Sequence, residues 1–113
     1  MSRELALEIA PADAKKLLDD GEAVALIDCR EAGEYQICRI EGAELIPMNT
    51  VPAQLQRLDA LSDEKRLIVY CHHGMRSLSV VNWLRKQGVE NCQSLSGGID
   101  RWSASVDPKV PRY

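Results

Sequence analysis

Two rhythms of hydrophobic and polar positions alternate along this chain. Short uninterrupted apolar runs predict strands buried on both faces, and stretches where apolar residues return every third or fourth position predict amphipathic helices. Ala23-Val24-Ala25-Leu26-Ile27 stays apolar until Asp28, and Leu67-Ile68-Val69-Tyr70, after Arg66, stays apolar until Cys71. Leu5–Ile9, Ala43–Ile46 and Cys92–Leu95 complete a set of five expected strands. Between them lie five expected helices. One opens at Ala10-Pro11 and runs through Leu18 to Gly21, where Pro suits the first turn and Gly the end. Others cover Glu31–Ile37, Val51–Leu61 with Leu55, Leu58 and Leu61 on one face, and Ser77–Gln87 closed by Gly88. The last follows Gly97-Gly98, with Trp102 expected in the core.

Strands separated by helices require right-handed crossovers, which build an open, mainly parallel five-stranded α/β sheet with helices on both faces. Such sheets bind ligands beyond the carboxyl ends of their strands. Asp28 and Cys71 both fall at such ends.

Composition narrows the classes. The chain has 113 residues, 45% hydrophobic and 27% charged, which suits one domain over residues 1–113. Its net charge of −3, with basic residues scattered, carries no footprint for nucleic acid or an anionic membrane. Met1-Ser2-Arg3-Glu4 leads into no apolar signal region and no run is long enough to span a bilayer, so the expected location is cytoplasmic. The cysteines, at 29, 38, 71 and 92, lack a close pair and are expected as free thiols.

The chemistry concentrates in Cys71-His72-His73-Gly74-Met75-Arg76-Ser77, between a buried strand and a helix start. Unpaired N–H groups and the positive dipole end at a helix N-terminus stabilise an anion. An ordinary thiol is only roughly 3% ionised at pH 7, whereas one placed there beside an arginine ionises at or below neutrality. Cys71 is therefore the candidate nucleophile. Gly74 supplies the φ freedom that lets successive amides converge on one spot. His72, His73, Gly74, Met75 and Ser77 line the expected substrate site, the histidines tuning specificity. Adjacent histidines aim poorly at one ion and no second ligand pair has metal spacing, so neither metal nor cofactor is expected.

Asp28-Cys29-Arg30-Glu31, Glu34-Tyr35, Ile40-Glu41-Gly42-Ala43, the Cys71–Ser77 loop and Leu95-Ser96-Gly97-Gly98-Ile99-Asp100-Arg101-Trp102 together resemble the rhodanese family, in order, over roughly residues 5 to 103. The resemblance implies a single-domain thiosulfate sulfurtransferase whose Cys71 takes sulfane sulfur as a persulfide. Cys71 would attack the outer sulfur of a donor such as thiosulfate and release sulfite. A thiol or cyanide-like acceptor would then remove the sulfur. Arg76 would orient the anionic donor and hold the thiolate ionised. Asp28 and Arg30 would form supporting scaffold beneath the loop, Glu34-Tyr35 would pack, and a sulfur-relay protein is a possible partner.

Three features keep other readings open. The six residues from Cys71 to Arg76 have the length that resembles sulfurtransferases, related cell-cycle phosphatases carrying a loop one residue longer, so phosphatase or arsenate reductase activity is the runner-up enzyme. A persulfide carrier or protein-binding module is the non-enzymatic one. The family's usual Gly-His-Ile reads Cys38-Arg39-Ile40 here, and Cys29 replaces an aliphatic residue, so Cys29 or Cys38 becomes a candidate resolving thiol against Cys71.

Overall fold

The computed structural model describes residues 5–113; the expectation made for Met1–Glu4 lies outside the described residues. Five strands, β1 (Glu8–Ile9), β2 (Val24–Asp28), β3 (Glu44–Leu45), β4 (Arg66–Tyr70) and β5 (Cys92–Leu95), form one sheet in the order β1-β5-β4-β2-β3. Every pairing is parallel. The helices are α1 (Pro11–Asp19), α2 (Ala32–Ile37), α3 (Leu55–Ser62), α4 (Met75–Lys86) and α5 (Gly98–Ser105).

Alternation along each strand sends neighbouring side chains to opposite layers. Ile27, Cys29, Leu67, Val69 and Cys71 enter one apolar layer with Leu58 of α3 and Val80, Val81 and Leu84 of α4. Leu26, Ile68, Tyr70 and Leu95 enter the other with Ala14 of α1 and Ile99 and Trp102 of α5. That two-sided burial is why the strands read as continuous apolar runs.

Several boundaries depart from expectation, among them Ala43–Ile46, which shortens to Glu44–Leu45. The Leu5–Ile9 strand shortens to Glu8–Ile9, an edge strand paired on one side only, with Ser94 and Leu95 of β5. The single helix expected over Val51–Leu61 is two pieces, a 3-10 segment over Met48–Gln54 and then α3, because Pro52 inside it has no N–H to donate. Helix α4 starts at Met75 instead of Ser77, since Gly74 itself makes the left-handed turn at φ 104°. Met75 and Arg76 therefore belong to the first helical turn. No helix among the described residues is long and apolar enough to cross a membrane.

Candidate active site

Cys71 follows the last residue of β4, a central strand, and faces the first turn of α4. Its Sγ accepts hydrogen bonds from the amides of Gly74 (3.1 Å) and Ser77 (3.3 Å), with Ser77 Oγ at 3.4 Å. Ser77 Oγ also lies 2.8 Å from Ser94 Oγ and 3.2 Å from the Gly74 carbonyl. A hydroxyl has one hydrogen to give. With Ser94 donating into it, the Ser77 hydrogen divides between the Gly74 carbonyl and the sulfur.

These contacts hold the thiol well below its ordinary range, to about 4. The neighbouring Cys29 thiol lowers it most; burial opposes that, and the Ser77 hydroxyl and the Ser77 and Gly74 amides lower it further. Cys29 moves the opposite way, its thiol pushed far up by the neighbouring Cys71 and by burial. The charge therefore rests on Cys71.

Arg76, expected to hold the thiolate ionised, feels the Cys71 charge and also makes an ion pair of its own. Its guanidinium clamps Glu34 in a fork, Nη1 to Oε1 at 2.8 Å and Nη2 to Oε2 at 3.0 Å. Arg76 remains partly exposed at the loop, and its charge is strengthened chiefly by the Glu34 hydrogen bond. Glu34 is held down to about 2, first by Arg76, with Tyr113 and the Glu31 amide adding and burial opposing. Glu34, read from sequence as a packing residue, is thus a junction joining α2, the Cys71 loop and the chain's last described residue. The capping box of Glu31 and Glu34 at the start of α2 fixes its position.

The other expected site residues separate into rim and interior. His73 and Met75 are exposed. His72 is partly buried, stacked between the rings of His73 and Tyr113 with centroids 4.0 Å apart in each case. Gly74 is buried, and a Cβ on it would come within 3.2 Å of the Gly97 amide nitrogen. Ser77, expected among the substrate-binding residues, is fully buried and touches Cys71, so its place is beneath that sulfur. His72, His73 and Asp100 bring ligand atoms within 4.8 Å of one another. Arg112 already pairs with the Asp100 carboxylate at 3.0 and 3.2 Å, so a cation there would have to displace a guanidinium.

Asp28 and Arg30 are completely buried as a pair. Asp28 Oδ1 accepts from Arg30 N and Nε (3.0 and 2.8 Å) and Oδ2 from Nη2 (2.6 Å). The remaining Arg30 donors reach the Cys38 carbonyl (2.6 Å) and the Tyr113 hydroxyl (2.8 Å), which satisfies a charge that burial would otherwise penalise. Tyr113 in turn donates to Glu34 at 2.6 Å. Cys38, substituted where a glycine is usual, takes an extended conformation at φ −163° that needs no glycine.

Sequence reasoning passed over one further support. Gly97 and Gly98, expected only to turn the chain, set α5 against the active loop: Ile99 N donates to the Cys71 carbonyl (2.9 Å) and Asp100 N to that of His72 (3.1 Å). At Gly98 a Cβ would lie 2.4 Å from both carbonyl oxygens. The paired glycines were visible in the sequence; the loop they approach was not.

The rhodanese-like domain family matches residues 10–105 of this chain. A protein of Zea mays, adenylyltransferase and sulfurtransferase MOCS3-2, is 37% identical over 103 residues, covering 88% of this chain but 21% of its own length. The chain thus spans about a fifth of that relative. Thiosulfate sulfurtransferase GlpE of Pseudoalteromonas translucida is 31% identical and is covered almost throughout, 92% of this chain against 95% of that one. Among solved structures, a rhodanese-like domain protein from Staphylococcus aureus superposes with a TM-score of 0.78 at 26% identity, covering 96% of this chain and 99% of that one. A cysteine loop closing a central parallel strand, inside a matched region that takes in nearly every element of the sheet, makes the chain a member of the rhodanese family.

Proposed function

We propose that this chain is a sulfurtransferase that carries sulfane sulfur on Cys71 as a persulfide, with thiosulfate as a competent donor. The observation that carries the reading is the ionised Cys71 Sγ held by two converging amides within a six-residue loop. The thiolate attacks the outer sulfur of the donor, a new S–S bond forms at Sγ, and the donor's S–S bond breaks with its electron pair leaving on sulfite. The outer sulfur left behind is anionic and remains next to the amides of the helix start. Arg76 orients the anionic donor at the rim, while Glu34 holds its guanidinium in one place. His72, His73 and Met75 meet donor or acceptor first, and Asp28 and Arg30 support the layer beneath. A thiol or cyanide-like acceptor then removes the outer sulfur.

The names of the maize and Pseudoalteromonas relatives support sulfur transfer, and the maize name, joining adenylyltransferase to sulfurtransferase, supports a protein sulfur relay as one acceptor. The fold's elements make one layered unit over the described residues, which supports a single domain. Treatment of reduced protein with thiosulfate is expected to add the mass of one sulfur to the wild type and nothing to Cys71→Ala. An unmodified wild type, sulfur on another cysteine, or aryl-phosphate turnover that vanishes in Cys71→Ser would overturn the reading.

A further inference from the structure

The cysteine that stands where an aliphatic residue is usual lies directly beside the nucleophile. Asp28 and Tyr70 are partners across β2 and β4, and Cys29 N donates to the Tyr70 carbonyl at 3.0 Å, so the next residue on each of two adjacent central strands is a cysteine. Both side chains enter the same layer and both are 1% exposed. The other thiols are placed differently. Cys38 lies in the opposite layer against Arg30, and Cys92 pairs with Leu67, four residues before Cys71. Adjacent strands run about 4.8 Å apart, inside the Cα separation of about 4.4 to 6.8 Å that a disulfide spans. The backbone spacing of the pair is thus one that a disulfide spans.

We propose that Cys29 is a resolving thiol for Cys71, closing a Cys29–Cys71 disulfide and expelling an unclaimed sulfane sulfur as hydrosulfide. The proposal rests on the persulfide reading above for its loaded form. An external acceptor approaches the outer sulfur from the rim, whereas Cys29 lies beside Cys71 in the layer beneath it, so the inner sulfur is the one it attacks. Cys29 supplies the electron pair of the new S–S bond. The bond between Cys71 Sγ and the outer sulfur breaks with its pair on the departing atom, which takes the Cys29 proton and leaves as HS⁻. The two cysteines lose two electrons and the sulfane sulfur gains them, so no outside oxidant enters. A peroxide reaches the same disulfide by another route: it oxidises the Cys71 thiolate to a sulfenic acid with loss of hydroxide, and Cys29 displaces water. In both cases the disulfide keeps Cys71 off the irreversible rungs of oxidation, and a dithiol reductant restores the reduced pair.

The test uses the full chain in two arms. In the first, reduced wild type and Cys29→Ser are exposed to thiosulfate without acceptor and followed by intact mass, sulfide release and peptide mapping. The wild type is expected to gain one sulfur, then convert to a species two hydrogens lighter than the reduced protein, with one equivalent of sulfide and a Cys29–Cys71 cross-link that dithiothreitol reverses. Cys29→Ser keeps its sulfur. A wild-type persulfide as long-lived as the variant's, migration of the sulfur onto Cys29, or a cross-link to Cys38 or Cys92 would overturn the proposal. In the second arm, wild type alone meets hydrogen peroxide, which requires neither a variant nor a persulfide. A Cys29–Cys71 cross-link supports the resolving role, and sulfinic Cys71 with free Cys29 rejects it. Should the wild type take no sulfur from thiosulfate, the sulfurtransferase reading fails while the peroxide arm still decides this one.

Discussion

At the scale of single residues the site is an argument about where one negative charge rests. Gly74 and Ser77 each place an amide hydrogen on Cys71 Sγ and the Cys29 thiol beside it lowers its pKa further, while the one full positive charge of the loop, Arg76, is paired with Glu34. Removing a donor should therefore raise the Cys71 pKa even with Arg76 intact. Thiolate absorbance of the wild type is expected to hold from neutral pH down to near 5 and to fall around the midpoint of about 4. In Cys29→Ala the midpoint should move up toward the ordinary thiol value, and in Cys29→Ser, which keeps a hydroxyl donor, it should move less. An unchanged Cys29→Ala midpoint would show that the amides alone hold the charge. Cys71 was legible from sequence because a cysteine between an apolar run and a helix has few chemical roles. Cys29 was visible there only as a departure, since its closeness to Cys71 depends on which strand pairs with which.

At the scale of elements, the active loop is shaped by what packs behind it. The amides of Ile99 and Asp100 at the start of α5 take up the carbonyls of Cys71 and His72, which leaves the loop's own amides pointing at sulfur. Gly98, at φ +64° and with a Cβ position 2.4 Å from both carbonyls, permits that approach. Gly98→Ala is expected to cost about 3 kcal/mol, from backbone strain and overpacking together, and to abolish sulfur uptake by Cys71. Gly88→Ala makes the comparison: its φ of +96° is also strained, but nothing lies within 4 Å of the added Cβ. That variant should lose about 1 kcal/mol and keep its sulfur uptake, as read by denaturant midpoint and intact mass. Strands and helices were legible because their periodicities are local. The break at Pro52 was legible in principle, as an interior proline, and the leucine spacing outweighed it.

At the scale of the molecule, four charged or hydroxyl-bearing side chains from distant positions close one network. Arg30 after β2, Glu34 of α2, Arg76 of α4 and Tyr113 are linked by hydrogen bonds of 2.6 to 3.0 Å. Glu34 carries the pH dependence. Its carboxyl lies near 2 against an ordinary 4.5, so the native state binds fewer protons than the unfolded chain between those values. The contribution is complete above about 4.5 and is lost as pH falls toward about 2. Glu34→Gln is expected to be less stable than wild type by on the order of 2 kcal/mol at pH 7, with the gap closing on acidification. Urea midpoints measured at several pH values check this; a gap independent of pH would move the effect from charge to packing.

The order of apolar runs and the residues at their ends determined the α/β class, the parallel sheet, the place of Cys71 at the end of a central strand and the need of buried Asp28 for a partner, because each follows from local periodicity and from the cost of burying an unpaired charge. Only the tertiary structure decided that Cys29 is the thiol beside Cys71, that Ser77 lies beneath the nucleophile, that Arg76 faces Glu34, and that Gly98 sets the loop. These depend on strand register and on helices packed across the sheet, and residues brought together from 34 and 76, or from 29 and 71, carry no shared signature along the chain.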